Sequence, residues 1–526
     1  MNKVYSILLV IALLFSMTAC SSGDDTSKDS SSKTENDIIA QEIADSYKDK
    51  NLEKINDGKP VTIRVHLSDI MPTLSETATE EQPDVFNSTR ILKKAFELLY
   101  PNVTIEWART VDTSSTDNFL QYMTTQLKSN TAPDIVFAWG TSFASRNWFY
   151  DFNEVLDKPN PYVDGNTKWR DQFPSYIFSA WQVSDAKNRV LGIPLSLAPG
   201  TPSAIYYNKE LLSKNNLTVP RTWEELFKVC DVLNKDGNVA YSPWGSPGAG
   251  NRKVSTTLWD IQFSLGPFYA AKQADKLDYN HDGIQNQEEV LRASYDGHYN
   301  LSSNAYMQDM WKQIKRKYTT LLQEGYENAD YSSKWLLGKL AFDEDGLWRF
   351  PEENSNTDRN FEFGVAPLPA VDTDTTSFVD KLEFTEKGPY RPAPNTTYNI
   401  VVPSVQAHGG DGVLDACVKF LQFLTQPDNN NMIISEQKGK SMSFLTGAKA
   451  PAQLTEYFDQ PFPKVPQFSI PGGFTSEGSA KLSALAELWV KGQLSDKDFY
   501  LQFDTEFKKD IDNYIKDMGI DISTWK

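Results

Sequence analysis

Between Asp278 and Glu289 the chain reads DYNHDGIQNQEE. A loop that holds a hard divalent cation places oxygen ligands at its positions 1, 3 and 5. It then needs glycine at 6 for a sharp turn, a backbone carbonyl at 7 and a bidentate carboxylate at 12. Those positions are Asp278, Asn280, Asp282, Gly283, the carbonyl of Ile284, and Glu289. Position 8 is Gln285, where paired helix–loop–helix calcium modules carry an apolar residue. The expectation is therefore one isolated loop with a structural Ca2+, against the alternative of an acidic surface turn.

The remaining reactive side chains do not assemble into a catalytic pattern. Asp343, Glu344 and Asp345 form the one suggestive acidic cluster, but consecutive acids cannot face each other across a glycosidic bond as hydrolysis requires. The four histidines, His66, His281, His298 and His408, lack zinc-ligand spacing. The glycine-rich GSPGAGNRK has Asn251 where a phosphate-binding loop needs lysine. Lys plus Arg number 52 against 70 for Asp plus Glu, a net charge of -18, which argues against nucleic acid and anionic lipid surfaces as partners. With 526 residues, 40% of them hydrophobic and 12% aromatic, the chain can bury a large core over more than one domain.

The elements that must position any site begin at Val61. Val61, Ile63 and Val65 alternate as a half-buried strand, ILKKAFELLY has helical apolar spacing, and Val103, Ile105 and Trp107 alternate again. NFLQYMTTQL is helical and Ile135–Phe137 a buried strand, so an α/β layout follows. Ligands of open α/β sheets collect at the carboxyl ends of strands, which marks Asp69 and Trp139. Thr222 and Glu225 make a helix start whose Trp223 belongs to the core, and Trp311, Ile314, Tyr318 and either Leu321 or Leu322 form the apolar stripe of a long helix. Val413 to Leu424 is another helix. Cys230 and Cys417 lie in helical runs as small buried hydrophobes.

At the start, Met1-Asn2-Lys3 and an apolar run from Val4 to Met17 are too short to span a bilayer and read as a signal peptide over residues 1–19. Met17-Thr18-Ala19-Cys20 resembles the bacterial lipobox, which implies cleavage before Cys20 and its lipidation. Residues 20–58 are expected to be a flexible tether, with a short helix around Ile38 to Ile55.

The run GIPLSLAPGTPSAIYYNKELLSKNNLTVPRTWEEL, Gly192 to Leu226, resembles the signature stretch of extracellular solute-binding proteins of the maltose-binding type, family 1. PDIVFAWG, LLGKLAFDEDGLWRF, FGVAPLPA, NTTYNIVVPS and KFLQFLTQPD follow in the family's order, and the length is similar to that of the larger subgroup that includes alginate-binding proteins. The resemblance implies two α/β lobes, each a mostly parallel sheet flanked by helices. Residues 59–197 plus 403–450 would form the first lobe and 203–397 plus 456–526 the second, with the calcium loop inserted at about 275–290. Crossovers are expected near Leu197 to Ser203, Asn395 to Val402, and Ala450. It further implies an oligosaccharide ligand captured by hinge closure, delivery to the permease subunits of an ABC importer, a monomer, and a place on the outer face of the bacterial cytoplasmic membrane through the lipid alone. The alginate-binding subgroup resembles this chain in carrying a structural Ca2+ loop whose closing acid comes earlier, which leaves Asn286, Glu288 and Glu289 open for that role. Pyranose rings stack on flat apolar faces. Trp348 matches the family's second-lobe stacking tryptophan, with Trp139, Trp244, Trp259 and Tyr398 as further candidates and Asp69, Asp345 and Arg349 as partners for hydroxyls. The rival readings are a polysaccharide-degrading enzyme and a surface sensor or adhesin that binds sugar without transport.

Overall fold

The computed structural model describes residues 34–80, 85–113, 115–138, 140–179, 183–197, 203–235, 239–243, 260–322, 329–385, 394–438, 441–443, 454–463 and 465–525. Among these, the strands are β1 (Val61–His66), β2 (Val103–Trp107), β3 (Ile135–Ala138), β4 (Ile193–Leu197), β5 (Ser203–Asn208), β6 (Val239–Ser242), β7 (Leu340–Gly346), β8 (Phe363–Pro367), β9 (Phe384–Thr385), β10 (Pro394–Ile400) and β11 (Phe462–Pro463). They form one sheet in the order β2-β1-β3-β10-β4, a second in the order β6-β7-β5-β8, and a small β11-β9 ribbon.

The sheets belong to two lobes, and their mixed direction follows from how the chain passes between them. β1 runs parallel to β2 and β3, and β6 parallel to β7. β5 and β10 enter each sheet from the other lobe, so they run away from the crossing while their neighbours run towards it. β10 is accordingly antiparallel to β3 and β4, and β5 antiparallel to β7 and β8. Four of the five strands in the first sheet and three of the four in the second therefore share one direction, so each sheet is mostly parallel as expected, with one reversed strand. The chain passes from the first sheet to the second between β4 and β5. The return crossing comes earlier than expected, because Pro394 already pairs with Leu197 in the first sheet, so residues 394–397 belong to the first lobe.

Val61, Ile63 and Val65 face the helices Ser88–Leu99 and Asp411–Leu424, with Leu92, Phe96, Phe420 and Leu424 in one apolar cluster. In the second lobe Trp311 is the hub. Its ring lies 5.2 Å from both Phe499 and Phe503 and 6.2 Å from Trp489. That cluster continues into the first lobe through Phe119 and Met123. Polar contacts accompany it: the Ser476 amide donates to Asp117 at 2.8 Å, and the Ser145 hydroxyl to the Met518 carbonyl at 3.0 Å.

The expectation of a flexible tether over residues 20–58 is corrected from residue 34 onward. Thr34 and Asp37 form a capping box on helix Glu35–Asp45. Ile39, Ala40, Ile43, Ala44 and Tyr47 then make a helical stripe buried on the first lobe, with Tyr47 against Tyr162 and Phe423. Residues 34–58 are therefore part of the first lobe. Cys20 lies outside the described residues.

Candidate functional site

The carboxyl ends of β6, β7 and β8 gather where β5 begins, beside the crossover, because Gly346 pairs with Ser203 and Pro367 with Ala204. From the end of β7 the chain makes a single 3-10 turn, Leu347–Arg349, that presents Trp348. The sequence gives a reason for this geometry. Leu347 is buried as the turn's apolar anchor, Gly346 carries no side chain, and Pro351 starts the next short helix. Trp348 is 41% exposed, the most exposed tryptophan among the described residues, whereas Trp169, Trp223, Trp311, Trp335 and Trp489 are fully buried. A Cβ at Gly346 would lie 2.2–2.3 Å from Cε2, Cζ2 and Cδ2 of the indole. Near-equal short distances to three atoms of the benzo ring place the Gly346 backbone over one ring face. The ring is a flat apolar plate backed by main chain, a form suited to stacking.

Arg349 and Asp345 do not serve as exposed partners for hydroxyls, which corrects that expectation. Strand alternation turns Asp343 and Asp345 to one side of β7, and Arg349 folds back onto them. Its Nη1 is 2.5 Å from Asp343 Oδ2 and 3.5 Å from Asp345 Oδ2, and its Nη2 is 2.6 Å from Glu353 Oε1. All four side chains are buried, so the charges are spent on one another. Glu344 points to the opposite side, where Lys317 Nζ lies 2.8 Å from Glu344 Oε2 and 2.6 Å from Asp260 Oδ1, and the Tyr241 hydroxyl donates to Glu344. Burial, with two carboxylates sharing one ammonium, pushes Asp260 up to about 7. The acidic trio is thus split between two buried networks, and neither faces a substrate.

In the first lobe Asp69 lies just beyond the carboxyl end of β1 in a partly exposed 3-10 turn, Ser68–Ile70, whose first residue Ser68 has φ 50°. His66 ends β1, with Nδ1 donating to the Ala108 carbonyl at 2.8 Å, and burial lowers its pKa. Tyr398 is not a cleft residue. Alternation along β10 puts it with Ile400 in the first-lobe core, where its hydroxyl donates to the Leu67 carbonyl at 3.0 Å. Trp139, Trp244 and Trp259 lie outside the described residues.

A family model described as bacterial extracellular solute-binding protein matches residues 81–431, more than half of the chain. The chain belongs to this family. It is a family of solute binders and not of enzymes. An uncharacterised ABC transporter extracellular-binding protein of Pyrococcus horikoshii is 25% identical over 183 residues, 31% of this chain and 37% of its own length. Among solved structures, a family 1 extracellular solute-binding protein of Bifidobacterium longum subsp. infantis aligns with a TM-score of 0.54 at 17% identity, covering 86% of this chain and 100% of its own. The cyclic alpha-maltosyl-1,6-maltose binding protein of Arthrobacter globiformis gives 0.54 at 16%, with 86% and 100% covered. A sugar transporter protein of Bacillus licheniformis, solved with stachyose, gives 0.50 at 16%, with 85% and 100% covered. At these identities the likeness is one of fold.

The acidic loop of this solute-binding protein folds as a tight turn. Asp278 accepts from the amides of Asp282 and Gly283, Asp282 from that of Ile284, and Gly283 has φ 81° as position 6 requires. Glu289 accepts from the Asn280 amide at 3.0 Å and from the Asn286 amide at 3.0 Å, which also makes it the capping-box partner of helix Gln287–Tyr295. Burial raises the Glu289 pKa, and Asp278 and Asp282 add to the rise. The donor set is all oxygen and fits a hard cation. Its acids are turned onto loop amides, and among the described residues no three His, Cys, Asp or Glu side chains converge as a metal cluster. Gln285, at the unexpected position 8, ties the loop down: its side chain donates to the Tyr299 hydroxyl and accepts from the Ser469 amide.

The sequence reading missed Tyr206, Asp260 and Lys317. Nothing local marks them, since their roles come from partners 27 to 140 residues away.

Proposed function

We propose that this solute-binding protein captures an oligosaccharide between its lobes and hands it to the permease subunits of an ABC importer. The observation that carries the reading is Trp348, an indole backed by Gly346 and left half-exposed where the second-lobe strands end beside the crossover. Structures of the same fold in complex with stachyose or raffinose, and that of a cyclic alpha-maltosyl-1,6-maltose binding protein, support a sugar as the solute. The relative named as an ABC transporter binding protein supports the importer. Cys20 is the proposed lipid attachment point, and no helix among the described residues is long and apolar enough to cross a membrane. With helix Glu35–Asp45 docked, the tether from Cys20 would hold the first lobe near the membrane surface, the protein acting as a monomer. The loop Asp278–Glu289 is proposed to hold one Ca2+ through Asp278, Asn280, Asp282, the Ile284 carbonyl and Glu289. The ion would neutralise three neighbouring carboxylates and stiffen the turn.

The test is calorimetric titration with raffinose, stachyose, maltotetraose and an oligouronate. At least one should bind, and Trp348→Ala should weaken it by about 10- to 100-fold, the scale of one lost aromatic anchor. Unchanged affinity in the variant, or binding of peptides in place of every sugar, would overturn the assignment.

A further inference from the structure

The turn that carries Trp348 is held on every side by buried groups. Arg349, the next residue, is clamped between two elements: Asp343 on β7 at 2.5 Å and Glu353 on helix Phe350–Ser355 at 2.6 Å. Its guanidinium also lies over the Tyr206 ring, 5.0 Å from the centroid. The Tyr206 hydroxyl, reaching across from β5, donates to the Gly346 carbonyl at 2.9 Å, and the Gly346 amide donates to Asp345 Oδ1 at 2.7 Å. Both backbone polar groups of the residue beneath the indole are therefore fixed, and so is the residue that follows the ring. A surface aromatic on an exposed turn would ordinarily exchange rotamers, and ordering it on binding would weaken affinity. Here that ordering is built in.

We propose that Arg349 and Tyr206 are positioning residues for Trp348: a buried clamp that fixes the plate before ligand arrives and so contributes to affinity without touching the ligand. The inference rests on Trp348 being the stacking residue. The planar fork matters because it must reach Asp343 and Glu353 at once, which the single ammonium of lysine cannot do with the same geometry. Removing the charge altogether would strand buried Asp343, Asp345 and Glu353, so Arg349→Lys is the informative change. Tyr206→Phe is a second route that leaves every charge in place.

The experiment uses the full chain labelled with 5-fluorotryptophan, with the Trp348 resonance assigned through Trp348→Phe, and stachyose, raffinose and maltotetraose as binding probes. In both clamp variants the Trp348 fluorine line is expected to shift or broaden while the Trp311 and Trp489 lines stay in place. Affinity for the tightest probe should fall about 3- to 10-fold in each variant, and less than about 2-fold when the same change is made in a Trp348→Ala background. An unmoved Trp348 line in both variants, or an equal loss in the Trp348→Ala background, would overturn the clamp and leave Arg349 with a structural role only. If Trp348→Ala itself leaves sugar affinity unchanged, the reading of the cleft fails, and the fluorine line still decides whether the turn is clamped. If no probe binds, that line decides alone.

Discussion

Asp260 offers a quantitative test of the second-lobe core. It is 1% exposed, and its Oδ1 is paired with Lys317 at 2.6 Å. Lys317 is shared with Glu344, so the site holds one cation and two carboxylates in a dry environment. The cheapest relief is a proton on Asp260, which is why burial moves it from 3.8 to about 7. An acid whose folded pKa is raised binds its proton more tightly in the native state. Stability is therefore greatest below the unfolded value and is lost as pH rises from about 4 to about 7. A shift of roughly three pH units corresponds to about 4 kcal/mol across that window, or at most about 1.4 kcal/mol per unit. Asp260→Asn removes the titration and leaves Lys317 with Glu344 alone. The variant should gain on the wild type by about 2–3 kcal/mol between pH 5 and 7, which for a lobe of this size widens the difference in Tm by roughly 5–10 °C, with no further widening above pH 8. Urea and thermal melts of both proteins at pH 5, 6, 7 and 8 measure this directly. A constant difference over the whole range would refute the shared-ammonium argument, whatever its sign.

Gly346→Ala would place a methyl 2.2 Å from the Trp348 ring, so the indole must move by more than about 1 Å to restore ordinary contact. Calorimetry should show a loss of sugar affinity comparable to that of Trp348→Ala, with the remainder of the fold retained by circular dichroism. If Ca2+ binds the Asp278–Glu289 loop, a melt in millimolar CaCl2 should lie several degrees above one in EGTA, since a ligand at about 100 times its Kd stabilises by about 2.7 kcal/mol. Asp282→Asn should shrink that gap, and coincident melts in calcium and chelator would remove the metal from the loop.

The parts of the fold visible in the sequence are those where one face of an element is apolar and the other is not. β1 and β2 alternate, helix Ala305–Leu321 carries its stripe at Met307, Trp311, Ile314, Tyr318 and Leu321, and the Thr222 hydroxyl accepts from the Glu225 amide at 3.3 Å as its spacing implied. The docking of residues 34–47 was hidden because the polar tract before it dominates the composition, although the stripe from Ile39 to Tyr47 has helical spacing. Tyr398 looked like a cleft residue by its place at the crossover, and strand parity sends it to the core. β7 is the instructive failure. All seven of its residues are buried, and three of them are acids, which no hydrophobic pattern marks as interior. They are interior because each has a cation or donor: Lys317 and Tyr241, from far along the chain, for Glu344, and Arg349, from the turn that follows the strand, for Asp343 and Asp345. The same DED run that raised the idea of hydrolysis is therefore occupied in holding the strand that ends at Gly346. In this family member the chemistry of those carboxylates is mechanical: one face of β7 fixes the turn under Trp348, the other ties the strand to helix Ala305–Leu321, and the plate offered to the ligand is as firm as that pair of networks makes it.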